Sequence, residues 1–292
     1  MAINDWKGIM DCPVVDVEKG WNFEKLEHIL QNAIVGTSSA ACVLDVEMRR
    51  KNKTRWYASP HSFELESEIF MGLSGGIDST FCLSQIKNKL FFEEGGQGIR
   101  TYTIGPHKEY PDIKYALAIS ILFDTNHHEL ILDEKARAEN LNEFNSIFPE
   151  PRYPGDDAVY RLFKELKKDD CYAAICCDGI DELLGGYWPH QVAAREGREK
   201  LIETFKKFWA ELFTAHLAPL QRTADHFGIK LFFPYLQRSV VEYISHIPVL
   251  DRCPVFTHGK EPLRKIAEKH IPVQIIWRGK RGFGQALDPW PQ

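Results

Sequence analysis

From residue 69 onward the chain repeats one unit: a short apolar run, a turn, then a stretch with helical spacing. Ile69–Leu73 is such a run, followed by a glycine-rich turn and a helix through Phe81, Ile86 and Leu90. Arg100–Ile104 is the next strand. Pro111 suits the first turn of the helix after it, whose apolar face reads as Tyr115, Ile119, Leu122 and Phe123. His128–Leu132 is a third strand, Val159, Leu162, Phe163 and Leu166 mark a further helix, and Tyr172–Cys177 is a fourth strand. Strands alternating with helices of this length imply crossover connections and a parallel sheet. After Gly186 the character turns helical, with an apolar stripe through Leu201, Ile202, Phe205, Phe208, Trp209, Leu212 and Phe213.

The segment ahead of this region reads differently. Asn22 is placed to cap a short helix over 22–34, with Leu26, Ile29, Leu30 and Ala33 on one face. Val43–Met48 and Arg55–Ser59 read as two strands around the basic run 49–53, which reads as a solvated turn. The expected organisation is therefore an N-terminal helix and hairpin extension over 1–65 ahead of the strand–helix domain over 66–292.

Bulk composition removes several classes. Of 292 residues, 44% are hydrophobic and 26% charged, as in an ordinary globular protein. A net charge of −5 and a pI near 6.1 argue against a nucleic-acid partner. No apolar run in the sequence reads as a membrane span, and the first residues lack the apolar core of a signal peptide. The seven cysteines show no framework spacing and no C-x-x-C pair. Reduced thiols in a cytoplasmic protein are the expectation. The adjacent His127 and His128 point to opposite faces of a strand and read as structural.

Two turns carry chemistry. Ser74-Gly75-Gly76-Ile77-Asp78-Ser79 joins the first strand to its helix. Backbone N–H groups at such a helix start favour an anion, and two glycines let a phosphate come close. Ser74 and Ser79 add hydroxyls. Asp78 would repel a bare phosphate, which points to Mg²⁺ between carboxylate and phosphates. No Walker A string occurs. Cys177-Asp178-Gly179-Ile180-Asp181-Glu182-Leu183-Leu184-Gly185-Gly186-Tyr187 follows the fourth strand, with three acids and three glycines at a strand end.

The first turn resembles the S-G-G-x-D-S pyrophosphate loop (PP-loop) of the N-type ATP pyrophosphatases. The second resembles the G-[DE]-G-x-D-E-L-[FL]-G-G-Y signature of the asparagine synthetase family, with Cys177 in place of the usual small residue. Thr101–Gly105, Phe123–Leu130, Phe233–Leu236, Lys260–Arg264 and Arg278–Phe283 resemble further family landmarks, in order, so the resemblance covers 66 to about 285. It implies an α/β fold: a parallel-sheet nucleotide-binding domain of the HUP, adenine nucleotide alpha hydrolase-like type, with a helical C-terminal half.

The resemblance also implies site roles. Ser74, Gly75, Gly76 and Ser79 would hold the phosphates of ATP, and Asp78 and Asp181 would bind Mg²⁺. Leu73, Ile104 and Cys177 would flank the adenosine. Asp178 would handle the incoming amine or its proton, and Lys280 would face the α-phosphate and the developing charge. Lys260 and Arg264 would support the same site. On its own, Arg278–Arg281 reads as a solvated basic tail.

The implied activity is an ATP-dependent amide ligase: a carboxylate is adenylated, then ammonia or an amine displaces AMP. Residues 1–65 are too few for the glutaminase domain of full asparagine synthetases. Nitrogen is therefore expected as free ammonia, as ammonia from a separate glutaminase subunit, or as an amine on a small-molecule or peptide carboxylate substrate. A homo-oligomer is left open. The alternatives are a tRNA-modifying enzyme of the thiolase or lysidine type, and an intramolecular amide cyclase resembling β-lactam synthetases.

Two departures put aspartate in question as the substrate. The family's P-F-L-D string ends here in Phe233-Pro234-Tyr235-Leu236-Gln237. Asp156 and Asp157 replace the usual small residues before a helix; they read as its cap, or as a site for a cationic substrate.

Overall fold

The computed structural model describes Ile9 and residues 20–52, 68–90, 98–149 and 155–278. Helix α1 spans Phe23–Lys51, followed by β1 (Ile69–Gly72), α2 (Ile77–Leu90), β2 (Ile99–Gly105), α3 (Pro111–Leu122) and β3 (Asn126–Ile131). Next come α4 (Glu134–Ile147), α5 (Asp156–Lys168), β4 (Ala173–Ile175), α6 (Ile180–Leu184) and α7 (Trp188–Glu196). Helix α8 (Arg198–Glu211) runs through a π-helical turn (Leu212–Leu217) into α9 (Ala218–Phe227) and then β5 (Lys230–Phe232). A 3₁₀ turn (Pro234–Leu236), α10 (Arg238–Ser245), α11 (Val249–Arg252), α12 (Glu261–Ala267) and α13 (Val273–Ile276) complete the described chain.

The five strands form one sheet in the order β3-β2-β1-β4-β5, and every pairing is parallel. Strands buried on both faces by crossover helices read as continuous apolar runs. Ile69, Phe70 and Met71 in β1, at the centre, are accordingly 2% exposed or less. From β1 the chain winds one way to β2 and β3, then returns to lay β4 and β5 on the other side. The order therefore reverses between β1 and β4. A crevice opens at the carboxyl ends of strands at such a point.

The expected hairpin does not form at Val43–Met48, which lies inside α1. This helix runs 29 residues from the cap at Asn22, whose side chain accepts from the Lys25 N–H at 2.7 Å. Leu26, Leu30, Ala33, Ile34, Ala41 and Cys42 join the same core as the sheet. The helical stripe continues through Asp45 and Arg49, which are buried and bonded to each other at 2.7 Å. Two charges on the core face broke the apolar periodicity. Arg49 is thus not part of a solvated turn, and Arg55–Ser59 lie outside the described residues. By length and composition α1 could cross a membrane, contrary to the sequence expectation, yet one face packs on the sheet.

Helix α3 faces inward through Ile113, Ala116 and Ile119, while Tyr115 and Leu122 are 37% and 55% exposed. Its apolar residues are spread around the helix, so periodicity did not select the face. The polar α4 and the short β5 were not expected. Asp133 caps α4 through the Ala136 N–H, and only Asn140 and Phe144 of that helix are buried.

His127 bonds Thr101 Oγ1 at 2.8 Å and His128 stacks on Tyr102, so both serve the sheet. Gly155, not an aspartate, caps α5. Asp156 and Asp157 are buried in its first turn beside Arg222 and Arg137.

Candidate active site

The crevice between β1 and β4 is where the two turns meet. After β1, Gly75 adopts φ +65°, and a Cβ there would fall 2.6 Å from Tyr115 Cβ and 2.7 Å from the Ala116 nitrogen. Only glycine lets the loop press against α3 in this way. The loop is tied to itself by hydroxyls. Ser79 Oγ accepts from the Ser74 N–H and lies against Ser74 Oγ, both at 3.3 Å, and Ser74 Oγ accepts from the Gly76 N–H at 3.3 Å. Ile77 then begins α2, so the helix start faces the crevice. Arg278 reaches back to donate to the Ser74 carbonyl at 3.1 Å, pairs with Asp112 and lies over the Tyr115 ring. Its guanidinium clamps the loop against α3.

After β4, Asp178 and Gly179 form a turn into α6. Gly179 has φ +95°, and a Cβ there would stand 2.3 Å from Leu236 Cδ2. Asp181, in the first turn of α6, accepts the Gly186 N–H on its backbone carbonyl at 2.9 Å. The Glu182 carboxylate accepts from the Tyr187 hydroxyl at 2.8 Å. Burial, with the charges of Glu182, Asp181 and Asp178 behind it, pushes the Tyr187 phenol far up, so it stays a donor.

The two turns converge on Lys260. Its Nζ lies 2.6 Å from Asp78 Oδ2 and 2.6 Å from Asp181 Oδ1, and its side chain is 2% exposed. Lys260 sits just before α12 with φ +57°, after Gly259 at φ +69°, and its N–H donates to the Leu184 carbonyl at 2.8 Å. This bend brings the ammonium between carboxylates from two crossover units. Gly186 leaves the room: a Cβ there would fall 1.8 Å from Asp181 Oδ1 and 2.2 Å from Lys260 Cε. The Tyr235 hydroxyl donates to the Asp78 carbonyl at 2.8 Å and fixes the start of α2 from the far side.

These contacts assemble Ser74, Gly75, Gly76, Asp78, Ser79 and Asp181 in one place. Leu73 and Ile104 are at neighbouring strand ends but 1% and 2% exposed, so their side chains belong to the core. Cys177 is half-buried; a hydrogen bond with Cys82 and burial push its thiol up, so it is no thiolate nucleophile. Arg264 donates to the carbonyls of Gly259 and Ile276; burial lowers its pKa, against the charges of Asp78, Glu261 and Asp181. Lys280 lies outside the described residues.

Two partners were not foreseen. Lys260 was expected only in a supporting role, and nothing in the Gly259-Lys260-Glu261-Pro262 string announces a bridge to residues 78 and 181. His216 bonds Asp178 Oδ1 through Nε2 at 2.7 Å, across 38 residues of sequence.

An ammonium gripped by two carboxylates shows that these oxygens are set for a cation. Among the described residues no group of three or more His, Cys, Asp or Glu side chains is placed to hold a metal ion. Two hard oxygen donors leave most of a Mg²⁺ shell to phosphate and water, the usual division when this ion binds with a nucleotide. The residues present therefore fit Mg²⁺.

A family model described as asparagine synthase matches residues 67–222 and 196–292. Comparison with curated proteins returns no match. Among solved structures, the chain is similar to an NH3-dependent NAD synthetase from Campylobacter jejuni, in complex with the nitrate ion. The identity is 13%, 77% of this chain and 92% of that chain are covered, and the TM-score is 0.33. That overlap is too loose to carry an argument about the site.

Proposed function

The chain belongs to the asparagine synthase family, and we propose that it forms an amide from a carboxylate and ammonia or an amine, cleaving ATP to AMP and pyrophosphate. The observation that carries this reading is the single ammonium of Lys260 held 2.6 Å from both Asp78 and Asp181. Two acids delivered by neighbouring strands to the reversal point of the sheet form a cation seat beside a phosphate-sized loop.

In this reading the α2 start and the Ser74 and Ser79 hydroxyls bind the β- and γ-phosphates. Asp78 and Asp181 would hold Mg²⁺. Bound there, the ion supplies positive charge to the pyrophosphate as it leaves. Lys260 keeps a fixed positive charge against the same carboxylates, which holds them in register when the nucleotide is absent. The substrate carboxylate attacks the α-phosphorus, and the bond to pyrophosphate breaks. Nitrogen then attacks the acyl carbon and AMP departs. Adenylation is needed because a carboxylate is a poor electrophile.

The test is carboxylate-dependent ATP–pyrophosphate exchange, run with Mg²⁺ over a panel of the common amino acids and simple dicarboxylic acids. Exchange with at least one carboxylate is expected, and Asp78→Ala should lower it by roughly 10³-fold. Exchange that appears only when tRNA is added would overturn this reading in favour of an RNA-modifying enzyme. Unchanged exchange in Asp78→Ala would remove the aspartate from the metal seat.

A further inference from the structure

Helix α3 turns an apolar face to solvent as well as to the core. Ile113, Ala116 and Ile119 point inward, and the helix packs on β2 and β3. On the outer side Leu117, Ala118, Ile121 and Leu122 are all exposed, Ile121 by 72%. Their spacings of three and four residues gather them into one quartet on adjacent turns. A surface helix ordinarily shows water a polar face. Here charge stands at the two ends of the quartet instead. Lys114 lies one turn before it and Asp124 just past the helix end, and both are exposed. Strand β3 is the outer strand on this side, so the sheet ends beneath the helix. The same helix backs the phosphate loop, since a Cβ at Gly75 would fall on Tyr115 and Ala116.

We propose that this face is covered by a second copy of the chain, paired α3 to α3 in antiparallel fashion. The quartet is complementary to itself. A twofold axis through its middle, between Ile119 and Ser120, sets Leu117 against Leu122 of the partner subunit. It sets Ala118 against the partner's Ile121, small against large, as interlocking helices require. The same operation brings Lys114 beside Asp124 of the partner subunit, once at each end of the pair. Two apolar faces leave water, and two unlike charge pairs fix the register. A helix of 12 residues offers a strip about 18 Å long and 10 Å wide. That falls short of the roughly 800 Å² per partner of a standard interface, so the dimer is a weak, concentration-dependent one. The pairing is independent of the chemistry proposed above. It sets the two phosphate loops of a dimer on one shared support.

Sedimentation velocity over roughly 1 to 200 µM tests the pairing. The unsubstituted chain should pass from monomer to dimer, with its midpoint on the order of 10 to 100 µM. Ile121→Glu changes a side chain that the core does not use and should stay monomeric throughout. Lys114→Glu should weaken association about fivefold, and Asp124→Lys added to it should restore the dimer. The two copies of residue 118 flank the axis, so Ala118→Cys should give a disulfide-linked dimer under mild oxidation. Ala138→Cys, at an exposed alanine of α4, should not. A monomer at every concentration, a dimer that survives Ile121→Glu, or equal cross-linking at both positions would each overturn the proposal. In a monomer, an Ala118→Cys thiol that resists maleimide would assign the cover to the chain itself. The residues after Arg278, which lies over Tyr115 at the start of the helix, would then be the first to truncate.

Discussion

Where the strands begin, Glu68 takes Arg49 at 3.2 Å and Arg100 at 2.6 Å, while Arg49 also holds Asp45 and Arg100 reaches Asp169. Where they end, one lysine is shared by Asp78 and Asp181. Counted over these ion pairs of the described residues, both clusters carry one more acid than base, but they are built for different ends. The first uses planar guanidiniums, which match carboxylates side by side and stay charged at any accessible pH. Its acids are further occupied by the chain: the Tyr172 N–H donates to Asp45 and the Tyr102 hydroxyl to Asp169. Arg49 and Arg100 also lie over the Phe70 ring. The second offers a compact ammonium on a flexible stem, in a gap kept open by Gly186, beside a loop whose hydroxyls bond to each other and to the loop's own N–H groups. One end of the sheet locks helix α1 and the strands together. The other keeps an excess negative charge facing the crevice, which a divalent cation can satisfy.

The contrast is sharpened most by Gly186→Ala. The three atoms nearest the new methyl would all be side-chain atoms of Asp181 and Lys260. The fold should persist while the carboxylates shift, and pyrophosphate exchange should fall roughly 10²-fold. An unchanged rate would mean the bridge geometry is irrelevant to turnover. Lys260→Met comes next. Removing the cation that bridges the partly buried Asp78 and the buried Asp181 should cost about 3 kcal/mol in urea unfolding. Mg²⁺ should return part of that loss to this variant and to no variant at the other end of the sheet. A loss that Mg²⁺ leaves untouched would break the comparison.

Arg100→Met should cost about 2 kcal/mol, since it strips Glu68 and Asp169 of a partner in a partly solvated network, and should leave exchange unaltered. A large drop in exchange would show that the two ends are coupled.

The smallest effect concerns His127, at the start of β3. Burial foremost, then the charge of His128, lowers its pKa from 6.5 to about 4, against a hydrogen bond to Thr101. Between those two pH values the unfolded chain binds more protons than the folded one, so stability falls as pH drops through this window and is fully present above 6.5. His127→Gln should flatten that slope when urea midpoints at pH 7 and pH 5 are compared. An equal slope in both proteins would contradict the burial of this ring.

Much of the site was legible because its parts are local. Ser74–Ser79 and Asp178–Gly186 are contiguous strings, each anchored to a strand end that apolar runs mark out. Their meeting follows from the sheet order, since β1 and β4 are neighbours at the reversal. Less legible were contacts made across the chain. Lys260 reaches Asp78 because Gly259 and Lys260 both adopt left-handed backbone, and only glycine advertises such a conformation in sequence. His216 meets Asp178 through a π turn that periodicity reads as plain helix. In α1 the Asp45–Arg49 pair hid the helix by placing charges where apolar residues were sought. Helix α3 failed oppositely, its apolar residues being spread around the helix.

Central to the proposed chemistry are two aspartates from separate crossovers serving one cation. A crystal structure with Mg²⁺ and α,β-methylene-ATP tests this directly. The predicted result is one metal within about 2.1 Å of an oxygen from Asp78 and from Asp181, with phosphates against the Ser74–Ser79 loop and the Lys260 ammonium displaced from between the acids. A nucleotide bound elsewhere, or a metal that takes neither aspartate while Lys260 still bridges both, would contradict it.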